Sequence, residues 1–194
     1  PRNSPTVINA VFYHRNFWDG RANNLFSGVG VFGRRDIRND PAARLLVLKP
    51  DGSVALQNVR LDNASAASQA VGPLLSDFEM SCTSRAFADI GRKMMAQQAL
   101  KLQTVHVEDS LFGRGGPVGD IVSASKIGLK LTYGEMIKQG FAKRFWAAPG
   151  RYKFVTNGDG TVGLAEDPAG YTQMELNFPL FFGLSVMLYE AMLV

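Results

Sequence analysis

The chain has 194 residues, 46% of them hydrophobic and 20% charged, with a net charge of +4 and a pI near 9.3. That composition excludes wholesale disorder and suffices for a full hydrophobic core. One cysteine excludes an internal disulfide framework and a four-thiolate zinc site, and the absence of a Lys/Arg-rich helix or aromatic-interleaved basic tract argues against nucleic acid as a partner.

The first predicted element is a helix over Thr6 to Phe17, with Pro5 at its first turn and Val7, Ile8, Val11 and Phe12 as an apolar stripe ended by Asp19-Gly20. Residues 27–40 carry too much glycine and charge for a helix and are expected as a loop. Leu45 to Leu48 and Val54 to Leu61 flank Asp51-Gly52 and predict a β-hairpin. A short helix follows from Asn63-Ala64-Ser65 to Ala70, interrupted by Gly72-Pro73. Arg85 to Leu102 is predicted to be a surface helix with Phe87, Ile90, Met94 and Met95 inward and Arg85, Asp89, Arg92 and Lys93 outward. The glycine-rich run 113–119 lacks the Gly-Lys-Ser/Thr of a phosphate loop. Thr132 to Trp146 is expected to be helical. Tyr152 to Val155 and Thr161 to Leu164, around Asn157-Gly-Asp-Gly160, predict a second hairpin, and a helix from Thr172 closes the chain. With no repeat or low-complexity tract, the expectation is a mainly α segment spanning 1–194 with two small β-hairpins.

The start on Pro1 and the strongly apolar stretch from Phe178 to Val194 predict a segment of a longer chain. Met174 to Val194 is long enough to span a bilayer, but Glu175, Asn177, Pro179 and Glu190 interrupt it. A buried core helix is the expectation there, with no membrane span.

Three stretches stand out. The first is Pro1-Arg-Asn-Ser-Pro-Thr-Val-Ile-Asn-Ala-Val-Phe12 with Phe17-Trp-Asp-Gly-Arg-Ala22. The second is Ser68-Gln-Ala-Val-Gly-Pro-Leu-Leu-Ser-Asp-Phe-Glu-Met80, and the third is Asn177 to Val194, with its Glu-Ala-x-Leu phrase. Together they resemble, in order, the bacterial di-haem cytochrome c peroxidase and MauG-like superfamily, in one of its larger members. The chain departs from the family in lacking Cys-x-x-Cys-His, since Cys82 lies in Cys-Thr-Ser-Arg-Ala. The stretch between Arg21 and Gln69 is also longer than in the short peroxidases, and residues 99–171 have no placed counterpart.

The resemblance implies a cytochrome-c-peroxidase-like helical unit whose haem c groups are attached outside this segment, on the same protein or a partner chain. It implies peroxidase activity in the periplasm, with hydrogen peroxide as substrate and a small electron-donor protein as partner. Gln69, Pro73 and Glu79 would line the distal side of the haem that meets peroxide. The chemistry suits a carboxyl in a largely apolar site, which can take a proton from the near oxygen and return it to the leaving one. Trp18 would relay electrons between the haems, as an oxidisable, polarisable ring. Arg21 would pair with Asp19 or meet a haem propionate, Met80 would lie by the haem pocket, and Asn3 would be a calcium ligand between haem domains.

Read without the resemblance, Glu79 is an exposed or capping carboxylate, Trp18 a core aromatic beside Phe17, and Asn3 a turn residue. His14 and His106, ninety-two positions apart, are expected to be solvated or hydrogen-bonded rather than axial ligands. Cys82 is expected to be an inert buried thiol, Met80, Met94 and Met95 packing residues rather than ligands, and Arg34, Arg35 and Arg38 a solvated face. Two other functions stay open: a MauG-like or rubber-oxygenase-like haem oxidase of a large organic substrate, and a haem-less binding or scaffold module.

Overall fold

Six short α-helices and two β-hairpins carry the regular structure of the computed structural model, which describes residues 4–193. In chain order these are α1 (Asp36–Asn39), the hairpin β1 (Leu45–Leu48) and β2 (Val54–Gln57), α2 (Ser65–Val71), α3 (Phe87–Met95) and α4 (Tyr133–Gly140). The hairpin β3 (Tyr152–Thr156) and β4 (Val162–Glu166), then α5 (Gln173–Leu176) and α6 (Phe178–Glu190), complete the order. Two compact units result, Pro1–Gly91 with Ala142–Val194, and Arg92–Phe141.

In the first unit α2 packs along α6. Phe26, Ala66, Ala67, Val71, Phe178, Leu180 and Phe181 are buried there. A Cβ at Gly183 would lie 2.8 Å from the Phe26 ring and 3.0 Å from the carbonyl oxygen of Ala67, so the two helices approach only over a glycine. Gly183→Ala is expected to cost about 1–2 kcal/mol net, because overpacking outweighs the gain in helix propensity. The denaturant midpoint of the full-length protein measures it.

Two side-chain amides tie α5 and α6 to the first hairpin. Asn177, fully buried between the helices, accepts from Leu46 N at 2.9 Å and donates to the carbonyls of Leu46 (2.7 Å) and Phe145 (2.8 Å). Gln173 donates to the carbonyls of Leu46 (2.7 Å) and Arg144 (2.8 Å) and accepts from Ala148 N at 2.7 Å. Backbone groups that pair with no strand at that edge thus find side-chain partners. The hairpins take the predicted places: Leu45 faces Gln57 across a turn at Gly52 (φ +85°), and Tyr152 faces Glu166 across a turn at Gly160 (φ +80°).

The chain is not mainly α. Helix covers 31% of it and extended pairing 15%. Thr6 to Phe17 is no helix: Asn9 and Phe17 hold left-handed backbones (φ +62° and +65°), and a single 3₁₀ turn spans Ala10–Phe12. Val7, Ile8 and Phe12 are exposed, while Ala10 is buried. A run of β-branched residues around an asparagine is a poor helix former, and its apolar spacing imitates an amphipathic stripe. The predicted helix from Arg85 reaches only Met95, where Gln98 and Ala99 turn to pair with the backbone of residues 129–132. The helix from Thr132 stops at Gly140 and is followed by a separate 3₁₀ turn, Lys143–Phe145. The loop 27–40 contains α1, organised by buried Asp36, which accepts from Ser27 Oγ (2.7 Å) and Phe32 N (3.1 Å).

In the second unit Thr132 and Glu135 form a reciprocal capping box on α4. The glycine-rich run folds on itself: a Cβ at Gly113 or Gly116 would lie 2.4 Å from the carbonyl oxygen of Asp109 or Leu111. Those glycines serve close loop packing. Among the described residues no helix is long and apolar enough to cross a membrane.

Candidate functional site

The segment 13–22 is fixed to α2 by buried polar side chains. Asn16 donates to the Ala10 carbonyl (3.3 Å) and to Ser65 Oγ (3.0 Å), and Ser65 in turn donates to the Tyr13 carbonyl. Paired backbone bonds between Asn16 and Ala22 close a loop that presents Phe17 to Arg21. The Phe17 ring lies against Gly72, where a Cβ would come within 3.0 Å of it. The Arg21 guanidinium sits 4.2 Å over that ring and 2.9 Å from an Asp19 oxygen. The hydrogen bond from Arg21 holds the Asp19 carboxyl below the usual range. Of the two partners expected for Arg21, the structure displays Asp19.

A cavity of about 590 Å³ opens beside this loop. Trp18, Arg21, Gln69, Pro73 and Glu79 all line it, although they come from two separate stretches of sequence. Gln69 lies in the last full turn of α2, Pro73 opens a 3₁₀ turn that follows, and Glu79 belongs to a turn closed by Met80 N and Ser81 N on the Ser76 carbonyl. Met80 is exposed and lies outside the lining. Trp18 is 72% exposed, so it is not a core aromatic. Asn3 lies outside the described residues.

The resemblance implies a carboxyl in a largely apolar site at Glu79, and the residues alone an exposed or capping carboxylate. Glu79 is exposed; the buried carboxyl of this cavity is Glu190, from the last turn of α6. Glu190 is 7% exposed, its Oε2 has no hydrogen-bond partner among the described residues, and burial pushes its carboxyl above the ordinary value of 4.5. The folded chain therefore holds a proton that the unfolded chain releases. The contribution to stability is full below 4.5 and fades as pH rises through the folded-state value. Gln69 Oε1 is likewise buried and unpartnered. Sequence gave one hint of Glu190, a carboxylate in a helix otherwise apolar on nearly every side, and that hint bears on burial rather than on chemistry.

The remaining candidates lie apart from this cavity. His14 and His106 are exposed, and His106 Nδ1 accepts from Glu108 N at 3.2 Å. Cys82 is exposed rather than buried, because it follows the exposed turn at 77–80. Met94 and Met95 are half-buried, and Arg34, Arg35 and Arg38 are solvated. Among the described residues no three His, Cys, Asp or Glu side chains gather as a metal site.

A family model described as di-haem cytochrome c peroxidase matches residues 1–112. No curated protein and no solved structure matches the chain.

Proposed function

Since the chain belongs to the di-haem cytochrome c peroxidase family, we propose that it forms one wall of a peroxide-reducing haem site in a periplasmic protein. One observation supports this above the others. A single cavity gathers Trp18, Arg21, Gln69, Pro73 and Glu79.

The residues suit one face of a haem. Two buried oxygens, Gln69 Oε1 and Glu190 Oε2, have no partner there among the described residues, and the Trp18 ring is largely exposed in the same lining. Attachment falls to other segments or a partner chain, because Cys82 is the one cysteine of the chain and does not lie in Cys-x-x-Cys-His. When bound, the haem supplies the open iron position and the electron path that peroxide reduction requires.

On this reading Glu79 accepts a proton from the near oxygen of peroxide and returns it to the far one, its exposure giving it exchange with water. Gln69 presents an amide that hydrogen-bonds the substrate. Pro73 offers no N–H and keeps that wall apolar. Trp18 relays electrons across the wall as an oxidisable ring. Arg21, steadied by Asp19, supplies a cation for a propionate, and Met80 borders the pocket from outside its lining. Asn3 would contribute an amide oxygen to calcium.

The test is a pyridine haemochrome spectrum of the full-length protein, followed by peroxide consumption with a reduced small electron-donor protein. A c-type spectrum with donor oxidation matched to peroxide loss is expected. Product from a large organic substrate without donor would instead establish the oxidase reading. A colourless folded protein would leave a binding module.

A further inference from the structure

Glu190 is placed where a structural role does not account for it. An ionised carboxylate with one oxygen shielded from water and unpartnered costs several kcal/mol as an order of magnitude. A residue kept for packing alone would be apolar, like Phe178, Leu180 and Phe181 on the same helix. Instead Glu190 lines the cavity, as does Gln69 on the helix packed against α6, each with a buried oxygen that nothing among the described residues satisfies. Neither of the other elements packed on α6 neutralises it. α2 and the Ala10–Phe12 turn carry no titratable side chain, and α5 brings Glu175, 3.4 Å from Arg151. Tyr189 is the other titratable group of α6. Tyr13, Arg15, Arg21 and Glu79 are the titratable groups that share the cavity lining. Arg15 donates to the Gly20 carbonyl (3.1 Å), and Arg21 is held by Asp19.

Resting on the peroxidase reading above, we propose that Glu190 is a second proton carrier of this cavity. Its buried carboxyl, when protonated, gives one of the two protons consumed when peroxide is reduced, and regains it from water by way of exposed Glu79. The balance is complete: two electrons from the reduced donor protein and two protons convert one peroxide to two waters as the O–O bond breaks. Glu190 ends that step as a carboxylate and is then reprotonated. Two carboxyls in contrasting surroundings, one shielded and one in water, divide the acid and base work.

The experiment uses the full-length, haem-loaded protein and its Glu190→Gln and Glu79→Gln variants. Infrared spectroscopy across a pH titration is expected to show the carbonyl stretch of a protonated carboxyl that persists above 4.5, is lost in Glu190→Gln and is kept in Glu79→Gln. Glu190→Gln should lower peroxide turnover with the reduced donor by about 10²-fold at unchanged haem content. It should also remove the fall in rate that the native protein shows as pH rises through the Glu190 titration. A band that survives in Glu190→Gln, or an unchanged rate and pH profile, overturns the proposal. If Glu190→Gln fails to accumulate, Glu190→Asp keeps the acid and should shift both the band and the pH limb; no shift in either overturns it equally. A wild type that binds no haem, or consumes no peroxide with the donor, fells the peroxidase reading and this proposal together. The infrared band still reports the state of Glu190 in that case, so the two failures are told apart.

Discussion

Glu79→Gln in the haem-loaded, full-length protein is expected to lower peroxide turnover by about 10²–10⁴-fold while haem content and stability stay as they were. Glutamine matches glutamate in size and still fills its place in the cavity lining. It cannot accept a proton and return it. The turn that carries residue 79 is held by backbone bonds to the Ser76 carbonyl, and Glu79 itself is exposed, so the substitution removes no buried contact. Exposed changes of this kind usually shift stability by less than about 0.5 kcal/mol. Steady-state turnover with the reduced donor, beside a haem assay, separates lost chemistry from lost protein. Full activity in the variant would remove Glu79 from proton transfer. Glu79→Asp, which keeps the base on a shorter arm, should fall between the two.

What could be read from sequence follows from how local each signal is. The hairpins were legible because Asp51-Gly52 and Asn157 to Gly160 supply the positive φ that their turns use. Gln69, Pro73, Glu79 and Trp18 were legible as a group through their phrases, and they share one cavity. Helix lengths were not. Apolar spacing over Thr6 to Phe17 suggests an amphipathic helix, whereas the burial of Ala10 and the hydrogen bonds of Asn16 to the Ala10 carbonyl and to Ser65 of α2 decide the backbone there. The place of Glu190 in the cavity was not legible for a related reason. In a helix apolar on most sides, which residue faces a cavity is set by the partner helix, and periodicity carries no such information.

Asn177→Ala is expected to destabilise the protein by about 2–4 kcal/mol, since it strands the N–H of buried Leu46, takes the partner from the part-buried carbonyl of Phe145 and removes one of two amide donors from the Leu46 carbonyl. Each stranded group costs about 1–3 kcal/mol, offset in part where Gln173 still donates to the Leu46 carbonyl. A volume-matched Asn177→Leu should do no better, because restored packing leaves the same backbone groups unpaired. Chemical denaturation of the full-length protein measures both variants. A loss below about 1 kcal/mol would mean that water or a local shift replaces the amide.

The ring of Phe17 resting on Gly72 has a bearing on attempts to reshape this cavity by directed evolution. Alanine at 72 would need the Phe17 ring to give by a few tenths of an ångström, and larger side chains would have to move it, on a loop that also carries Trp18 and Arg21. Position 73 opens a different turn and can be varied without touching that seam, whereas Glu79 has to be kept for the proton transfer assigned to it. A mutant library aimed at a bulkier substrate therefore has its productive space around Pro73, with the Phe17–Gly72 contact and Glu79 left in place.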